Sequence, residues 1–202
     1  HRVAICDQLE DPKQVKGIVK RGVTELVTPG VTYNDHVLES STNNYLSAVY
    51  LDKSDAGIVL LDISTGEFIG TEGTFEQAEK LLQSFDPTEI LFNKAQKESF
   101  HRFIGKDPRQ DRHLFPLEDW AFGWDYSYEK LTEQLAWTNL QGFGFQDMPL
   151  AIRAAGAILH YLEITEHKDL QQINAIKRIA NDQHVWLDKF TVRNLELVQA
   201  QQ

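Results

Sequence analysis

The carboxylates of this sequence are the first candidates for catalysis, because a nuclease that uses two divalent ions holds them about 3.5–4 Å apart with several acidic side chains. Asp62 lies near the end of an apolar stretch that is typical of a buried strand. Glu76 and Glu79 fall on the polar side of a predicted helix and are expected to point to solvent. The predicted strand Tyr45–Leu51 contains no carboxylate. The pattern therefore disfavours a nuclease and predicts that Asp62 binds the backbone amides of the turn Ser64–Gly66.

A second candidate is a metal site on a long predicted helix. Helical zinc ligands usually stand at positions i and i+4, whereas His160 and His167 are seven positions apart with Glu163 between them. All three side chains fall in the polar sector of the helix, together with Arg153. The spacing favours a solvent-exposed helix face over a metal site.

Nucleotide binding and thiol chemistry have less support. The sequence contains no G-x-x-x-x-G-K-[ST] loop, and Gly142-Phe143-Gly144 lacks the third glycine of a dinucleotide-binding turn. Cys6, the single cysteine, lies in an apolar run, so we predict a core cysteine and not a nucleophile. A single cysteine also excludes an internal disulfide and suits a cytoplasmic location. We expect no catalytic residue, cofactor or metal in this chain.

Basic residues cluster at one place near the start of the chain. Lys13, Lys16, Lys20 and Arg21 are the best candidates for contact with a DNA backbone. The whole chain is acidic, with 20 Lys and Arg against 30 Asp and Glu and a formal net charge of −10. Because affinity for nucleic acid depends largely on cations that displace counterions, we expect weak or no DNA binding by this chain alone.

The composition is that of a globular domain: 42% of the 202 residues are hydrophobic and 25% are charged. Apolar runs such as Ile58–Leu61 are far shorter than the roughly 20 residues that cross a bilayer. No signal peptide is recognisable, so we expect no membrane association. The chain begins without methionine in a strand-like run, which suggests a piece of a longer protein.

Hydrophobic periodicity places three strands first in the central part of the chain, and helices and strands then alternate. This order predicts an α/β fold: a mixed five-stranded sheet of the ribonuclease-H-like kind with helices on both faces. The predicted strands are Tyr45–Leu51, Gly57–Ile63, Glu67–Glu72, Glu89–Phe92 and Leu114–Leu117. The predicted helices are Phe75–Phe85, Gln96–Ile104, a segment ending near Trp137, and Pro149–His167.

Polar residues before three of these helices are predicted to cap them. Thr74 and Gln77 have the spacing of a capping box. Asp125 or Ser127 is expected to cap the third helix, and Asp147 the fourth.

The two ends of the chain differ from the central part. Two short strands, Val3–Cys6 and Val23–Val27, flank a predicted helix from Asp11 to Gly17. The first thirty residues hold five basic and four acidic groups, so the remainder has a net charge of −11 and a boundary falls near Gly30. Lys168–Asp182 is predicted to be a linker before a final helix.

Several blocks of the sequence resemble the MutS family of DNA mismatch-repair proteins. The early blocks resemble the last part of the family's mismatch-binding domain, with Asp7 where Glu is common. Later blocks resemble the opening of its connector domain and the start of its core (lever) domain. In chain order the blocks are Val3–Gln8, Glu10–Lys13, Lys16–Arg21, Val27–Gly30, Asn43–Leu46, Leu61–Phe68 and Arg193–Leu197.

The resemblance implies a division of the chain into three parts. Residues 1–33 would be the end of the mismatch-binding domain, residues 34–169 a connector domain with a ribonuclease-H-like fold, and residues 170–202 the start of the core domain. In the family, a Phe-x-Glu motif upstream of such a segment probes the mismatch, and an ATPase domain lies downstream.

The resemblance also implies a function. Whole MutS proteins are homodimers that clamp mismatched double-stranded DNA, use ATP and Mg²⁺ to become sliding clamps, and recruit MutL. This piece would couple the DNA and nucleotide states and help to dock MutL, without catalysis of its own, and we expect it to be a monomer. The candidate docking face is the outward side of the third helix, at Glu129, Lys130 and Glu133.

Two other classes of function remain open. An autonomous ribonuclease-H-like, metal-dependent nuclease would cleave RNA–DNA hybrids with Mg²⁺ and would be sensitive to Asp62→Asn. An autonomous DNA-binding module would use the basic residues between Lys13 and Arg21, and its affinity would fall steeply with salt.

Overall fold

The computed structural model is a mixed α/β structure, and it describes residues 2–11, 17–31, 43–105, 112–136, 144–145, 147–167 and 170–179. The strands are β1 (Val3–Gln8), β2 (Arg21–Val27), β3 (Leu46–Asp52), β4 (Asp55–Asp62), β5 (Glu67–Thr74), β6 (Glu89–Asn93), β7 (His113–Leu117) and β8 (Lys177–Arg178). The helices are α1 (Phe75–Phe85), α2 (Lys97–Ile104), α3 (Trp124–Gln134) and α4 (Pro149–Ile164), with short 3₁₀ helices at Lys94–Gln96 and Asp119–Phe122.

The larger sheet has the strand order β7-β6-β3-β4-β5-β8. β4 is antiparallel to β3 and β5, whereas β3, β6 and β7 are parallel, as are β5 and β8. The predicted α/β class is therefore confirmed, but among the residues that the structure describes the sheet has six strands and not five.

The sixth strand, β8, lies in the stretch that was predicted to be a linker. Ile173, Ile176 and Ile179 are buried in this part of the chain, and the Ile179 amide donates to the carbonyl oxygen of Gly70 at 2.8 Å. The linker prediction is wrong for residues 170–179, because burial of these isoleucines attaches the segment to the sheet.

Both faces of the sheet are covered by helices. Val59 and Leu61 on β4 belong to the cluster that packs with α3 and α4, whereas Ile58 and Leu60 belong to the cluster that packs with α1 and α2. Side chains of a strand alternate between the two faces. The burial of all four residues confirms that this apolar run is covered on both sides.

The boundaries of α1 are those that the sequence predicted. The Thr74 side chain accepts from the Gln77 amide, and the Gln77 side chain accepts from the Thr74 amide, so the capping box is present. At the other end, the buried guanidinium of Arg112 donates to the Leu82 carbonyl oxygen at 2.8 Å and to Asp86 at 3.0 Å. Side-chain hydrogen bonds are thus present at both ends of the helix, and at the C-terminal end they add to the bond from the Asp86 amide to the Leu82 carbonyl oxygen.

The predicted caps of α3 are wrong. The helix follows Gly123, and no side chain accepts a hydrogen bond at its start, so Asp125 does not cap it. Ser127 is fully buried and donates to the Arg153 carbonyl oxygen of α4 at 3.3 Å. A Cβ at Gly156 of α4 would lie 2.4 Å from Ser127, so close helix packing decides the position of this serine.

The predicted cap of α4 is also wrong, because the side chain that accepts from an amide in the first turn of this helix comes from another element. Asp147 does not cap the helix; the N-cap is Met148, which makes no side-chain capping bond. A carboxylate oxygen of Glu72 on β5 instead accepts from the Leu150 amide at 2.7 Å. The helix α4 is buried over most of its circumference, including Ile152, Gly156, Ala157 and Tyr161.

The strands β1 and β2 form a separate antiparallel hairpin, in which Val3 pairs with Val27 and Gln8 with Arg21. All residues of β1 are exposed, so the prediction that Cys6 is a core cysteine is wrong. Most of the helix predicted from Asp11 to Gly17 lies outside the described residues. Across the described part of the chain, no helix combines the length and apolar character that a membrane span needs.

Candidate functional site

A buried carboxylate lies where the hairpin meets the larger sheet. Glu89, the first residue of β6, is 1% exposed. Its Oε1 atom accepts from the Tyr161 hydroxyl at 2.8 Å and from Nη2 of Arg2 at 3.2 Å. Its Oε2 atom accepts from the Thr28 hydroxyl at 2.6 Å and from the Gly30 amide at 3.1 Å. These five residues, which we call the Glu89 cluster, connect the hairpin with both the sheet and α4.

Aromatic rings support one side of the Glu89 cluster. The Arg2 guanidinium lies 3.8 Å from the ring centroid of Phe115 and also donates to the Tyr161 hydroxyl at 3.1 Å. Burial, with a further contribution from the Glu89 charge, raises the pKa of Tyr161. The Tyr161 hydroxyl therefore remains protonated and can donate to the carboxylate.

A second group of contacts joins the end of β2 to the larger sheet and to α4. The Pro29 carbonyl oxygen accepts from the Asn44 side chain at 2.9 Å and from the Thr88 hydroxyl at 3.1 Å. The Leu26 amide donates to the Thr165 carbonyl oxygen at 3.0 Å. The hairpin is therefore attached by main-chain and side-chain hydrogen bonds as well as by the buried carboxylate.

His167 adds a further contact across this boundary. Its Nε2 atom is 3.4 Å from Glu25 of β2, and its Nδ1 atom is 3.0 Å from the Thr165 hydroxyl. Burial lowers the pKa of His167, and the nearby Glu25 opposes this effect. The prediction of a solvent-exposed face is correct for Glu163 but wrong for His167, which is buried beyond the end of α4. His160 is partly buried, and burial lowers its pKa as well.

The predicted docking residues lie on α3, but one of them is bound to the neighbouring helix. Glu129 and Glu133 are exposed. Lys130 is partly buried, with Nζ 2.9 Å from Oε2 of Glu163 on α4. This hydrogen bond raises the pKa of Lys130. The two glutamates are thus available to a partner, whereas the lysine already pairs within the chain.

An exposed aromatic group borders these residues. Trp120 is 55% exposed, and its ring centroid lies 5.2 Å from that of Tyr126 and 4.6 Å from that of His160. The Tyr126 hydroxyl is 2.9 Å from Nδ1 of His160, and Nζ of Lys130 is 5.9 Å from the Tyr126 ring centroid. Trp120 was not among the predicted site residues, although tryptophan is enriched among the anchor residues of protein interfaces.

Only half of the predicted basic cluster falls within the described residues. Lys20 and Arg21 are exposed, and the Lys20 amide donates to the Glu10 side chain at 3.1 Å. Lys13 and Lys16 lie outside the described residues. Contact between this cluster and a DNA backbone stays a prediction.

Asp62 organises a turn, as predicted. Its Oδ1 atom accepts from the Ser64 amide at 2.9 Å, from the Ser64 hydroxyl at 2.6 Å and from the Thr65 amide at 3.4 Å. The Gly66 amide instead donates to the main-chain carbonyl oxygen of Asp62. In the part of the chain that the structure describes, no three His, Cys, Asp or Glu residues are grouped so that they could hold a metal ion.

Two family models match this chain: MutS domain I over residues 1–36 and MutS domain II over residues 44–174. The chain belongs to the MutS family. It is 56% identical over its whole length to the DNA mismatch repair protein MutS of Cytophaga hutchinsonii. It is 54% identical over 97% of its length to MutS of Christiangramia forsetii, and 51% identical over 98% to MutS of Bacteroides fragilis. It spans 22–23% of the length of these relatives.

The boundary between the two matched MutS regions passes through the Glu89 cluster. Arg2, Thr28 and Gly30 come from the domain I region, whereas Glu89 and Tyr161 come from the domain II region. The family resemblance is thus confirmed. The finer division at residues 33 and 169 and the ribonuclease-H-like comparison stay predictions.

The sequence predicts Glu89 only as the first residue of a strand, although one signal points to a larger role. The residues after it, Ile90–Phe92, are apolar and belong to a predicted strand of a sheet with helices on both faces. A charged residue in such a strand is expected to have several polar partners, because burial of an unpaired charge is very unfavourable. That signal indicates a buried polar cluster but not which residues complete it.

Proposed function

We propose that this chain holds domain I of a MutS mismatch-repair protein on domain II, and that it couples DNA binding to the nucleotide state of the complete protein. The observation that carries the proposal is the set of buried polar contacts between the two matched regions. A joint made of specific hydrogen bonds has a defined geometry, so it can transmit a movement of one domain to the other.

The remaining parts of the proposal concern the complete protein. It would be a homodimer that clamps mismatched double-stranded DNA, with ATP and Mg²⁺ bound outside this chain, and it would recruit MutL as a sliding clamp. Lys13, Lys16, Lys20 and Arg21 would contact the DNA backbone. Within this chain we propose a connector without catalysis. The order of β5-β4-β3-β6-β7, with β4 antiparallel, supports its likeness to ribonuclease H.

The coupling can be tested at side chains that hold the two regions together but contact neither DNA nor nucleotide in this proposal. Asn44→Ala combined with Thr88→Val removes both side-chain donors to the Pro29 carbonyl oxygen. In the complete MutS protein we expect mismatched DNA to be bound, and its ATP-triggered release to slow by about 5-fold, the size of a modest coupling energy. Stopped-flow fluorescence with a labelled mismatched duplex measures this rate.

The matched control is Glu76→Gln, which removes an exposed ion pair between Glu76 and Lys80 on α1, away from the joint. It is expected to leave the release rate unchanged. Wild-type release kinetics in the Asn44→Ala/Thr88→Val protein would contradict the proposed coupling.

The exposed residues around α3 support a second role, the docking of MutL. An exposed tryptophan is a frequent anchor of protein interfaces, and Trp120 lies on the same side of the sheet as the exposed Glu129 and Glu133. Lys130 contributes by holding α3 to Glu163 of α4. We therefore propose that a surface formed by α3 and the 3₁₀ helix before it contacts MutL.

Charge reversal tests the docking surface. Glu129→Lys combined with Glu133→Lys in the complete protein is expected to weaken MutL recruitment to mismatched DNA by about 10-fold, because it reverses the local charge without disturbing a buried contact. Surface plasmon resonance on an end-blocked mismatched duplex measures the recruitment. Glu76→Lys combined with Glu98→Lys makes the same charge change on the helices of the other face. Recruitment that is unchanged by the α3 substitutions, or equally reduced by both pairs, would refute the docking surface.

A further inference from the structure

Both strands of the hairpin are held at the same end by one carboxylate. Arg2 directly precedes β1, and Thr28 directly follows β2; at this end of the hairpin Val3 pairs with Val27. The two oxygens of Glu89 divide the partners between them, since Oε1 accepts from Arg2 and Oε2 from Thr28. Because the two oxygens of one rigid carboxylate bind both strands, they fix the orientation of the hairpin as well as its point of attachment.

We propose that Glu89 is a positioning residue that sets the angle at which the hairpin, and with it domain I, leaves the sheet of domain II. The inference rests on the proposed coupling function, for which it names the residue that fixes the geometry. The chemistry fits a carboxylate and no other side chain, because a carboxylate only accepts hydrogen bonds and four donors point at it.

The two oxygens hold the hairpin with different strength. The partners of Oε2 are buried and closely packed: Thr28 is buried, and a Cβ on Gly30 would lie 2.8 Å from Cβ of Glu89. On Oε1 the charge comes from Arg2, whose side chain is 38% exposed and lies over the ring of Phe115. The Arg2 contact is therefore the one that can open to solvent while the contacts of Thr28 and Gly30 persist.

Glu89→Gln separates the two contacts. A carboxamide has one accepting oxygen and one donating nitrogen, so its nitrogen must face one pair of donors. The Tyr161 and Thr28 hydroxyls can each rotate to accept from it, whereas the Gly30 amide and the Arg2 guanidinium cannot accept. Loss of the Arg2 contact costs less than loss of the Gly30 contact, because the Arg2 side chain is 38% exposed and can turn to water. The favoured arrangement turns the oxygen toward Thr28 and Gly30 and releases Arg2. Arg2→Met should have the same effect by removing the guanidinium directly.

The position of Cys6 makes the angle measurable. Cys6 is exposed on β1 and is the single native cysteine, and Ser84 is exposed on α1, the helix that packs on the larger sheet. In the 202-residue chain with Ser84→Cys, spin labels on both sites report the distance between hairpin and sheet by pulsed electron–electron double resonance. We expect Glu89→Gln and Arg2→Met each to broaden the distance distribution roughly twofold, because one of the two oxygens of residue 89 would no longer hold the hairpin.

The control is Glu118→Gln, the same chemical change in an exposed ion pair with Lys94; it should retain the width of the parent chain. Far-UV circular dichroism establishes that each variant is folded, and Arg2→Met, at a half-exposed site, keeps the test valid if Glu89→Gln does not fold. The proposal would be overturned if the folded Glu89→Gln and Arg2→Met chains had distance distributions as narrow as that of the parent chain. It would also be overturned if Glu118→Gln broadened the distribution equally.

The same variants in complete MutS separate this inference from the proposed coupling. Broadened distances together with an unchanged ATP-triggered release of mismatched DNA would establish Glu89 as the positioning residue and would reject the coupling function. Unchanged distances would reject the role of Glu89 and leave the coupling to the test at Asn44 and Thr88.

Discussion

Gly57→Ala is expected to lower the free energy of unfolding by about 3 kcal/mol, at the upper end of the range for overpacked cores. A Cβ at this position of β4 would lie 2.1 Å from the carbonyl carbon of Leu150 and 2.3 Å from the amide nitrogen of Ala151. Both atoms belong to the backbone of α4, so no side-chain rotation can relieve the clash. The first turn of α4 would have to move away from β5, which would also weaken the bond between Glu72 and the Leu150 amide. Urea unfolding measures the loss.

Gly70→Ala is the matched control, because Gly70 lies on the adjacent strand β5 of the same sheet. The nearest atom to a Cβ there is Cγ2 of Val59 at 2.8 Å, and the nearest backbone atom is the Ile58 carbonyl oxygen at 3.1 Å, compared with 2.1 Å for the nearest backbone atom at Gly57. Because the backbone contact is much less close, we expect a smaller loss of about 1 kcal/mol. Equal losses for Gly57→Ala and Gly70→Ala would show that backbone contact with α4 does not decide the cost.

The elements that the sequence predicted well are those with local determinants. The helix Phe75–Phe85 has its capping box, Thr74 and Gln77, within its own first turn, so neighbouring residues fix its start. The run Ile58–Leu61 indicates an inner strand because every residue of it is apolar. Asp62 forms its turn with residues two and three positions later. These interactions are complete within a few residues and can therefore be recognised without the fold.

The features that the sequence did not predict depend on residues far apart in the chain. Leu150 of α4 has its capping partner in Glu72, which is 78 positions away. Arg2 and Glu89 are 87 positions apart. The strand Lys177–Arg178 has only two residues, both exposed, so no periodicity could indicate it. In each case the partner becomes apparent only when the sheet is assembled, and local propensity contains no information about it.

The same reasoning explains why the candidate site was predicted only in part. Glu129 and Glu133 were recognised as outward residues because helical periodicity separates an exposed face from a buried one. Periodicity does not tell whether an outward residue pairs with a neighbouring helix, as Lys130 does with Glu163. The Glu89 cluster has no sequence motif, since it consists of one carboxylate and of donors that the fold brings together.

Glu89→Ala is expected to lower the free energy of unfolding by about 3–5 kcal/mol, because it removes the buried acceptor of three buried donors. The substitution leaves the Tyr161 hydroxyl, the Thr28 hydroxyl and the Gly30 amide without their acceptor in a buried place. Each such group costs about 1–3 kcal/mol when no other partner is available. Arg2 adds less, because its half-exposed guanidinium can turn to water. Urea unfolding, followed by tryptophan fluorescence, measures the change.

A double-mutant cycle with Tyr161→Phe separates the hydrogen bonds of Glu89 from a general effect of cavity formation. If the carboxylate acts through its donors, the losses from Glu89→Ala and Tyr161→Phe will not add, and a coupling energy of about 1–2 kcal/mol is expected for residues in direct contact. Glu118→Ala serves as the control, since the exposed ion pair of Glu118 with Lys94 is worth less than about 1 kcal/mol. Additive losses at Glu89 and Tyr161 would show that the buried carboxylate acts by filling space and not through its hydrogen bonds. Strong coupling would show that the hydrogen bond from Tyr161 stabilises the buried charge that also accepts from the hairpin residues Arg2, Thr28 and Gly30.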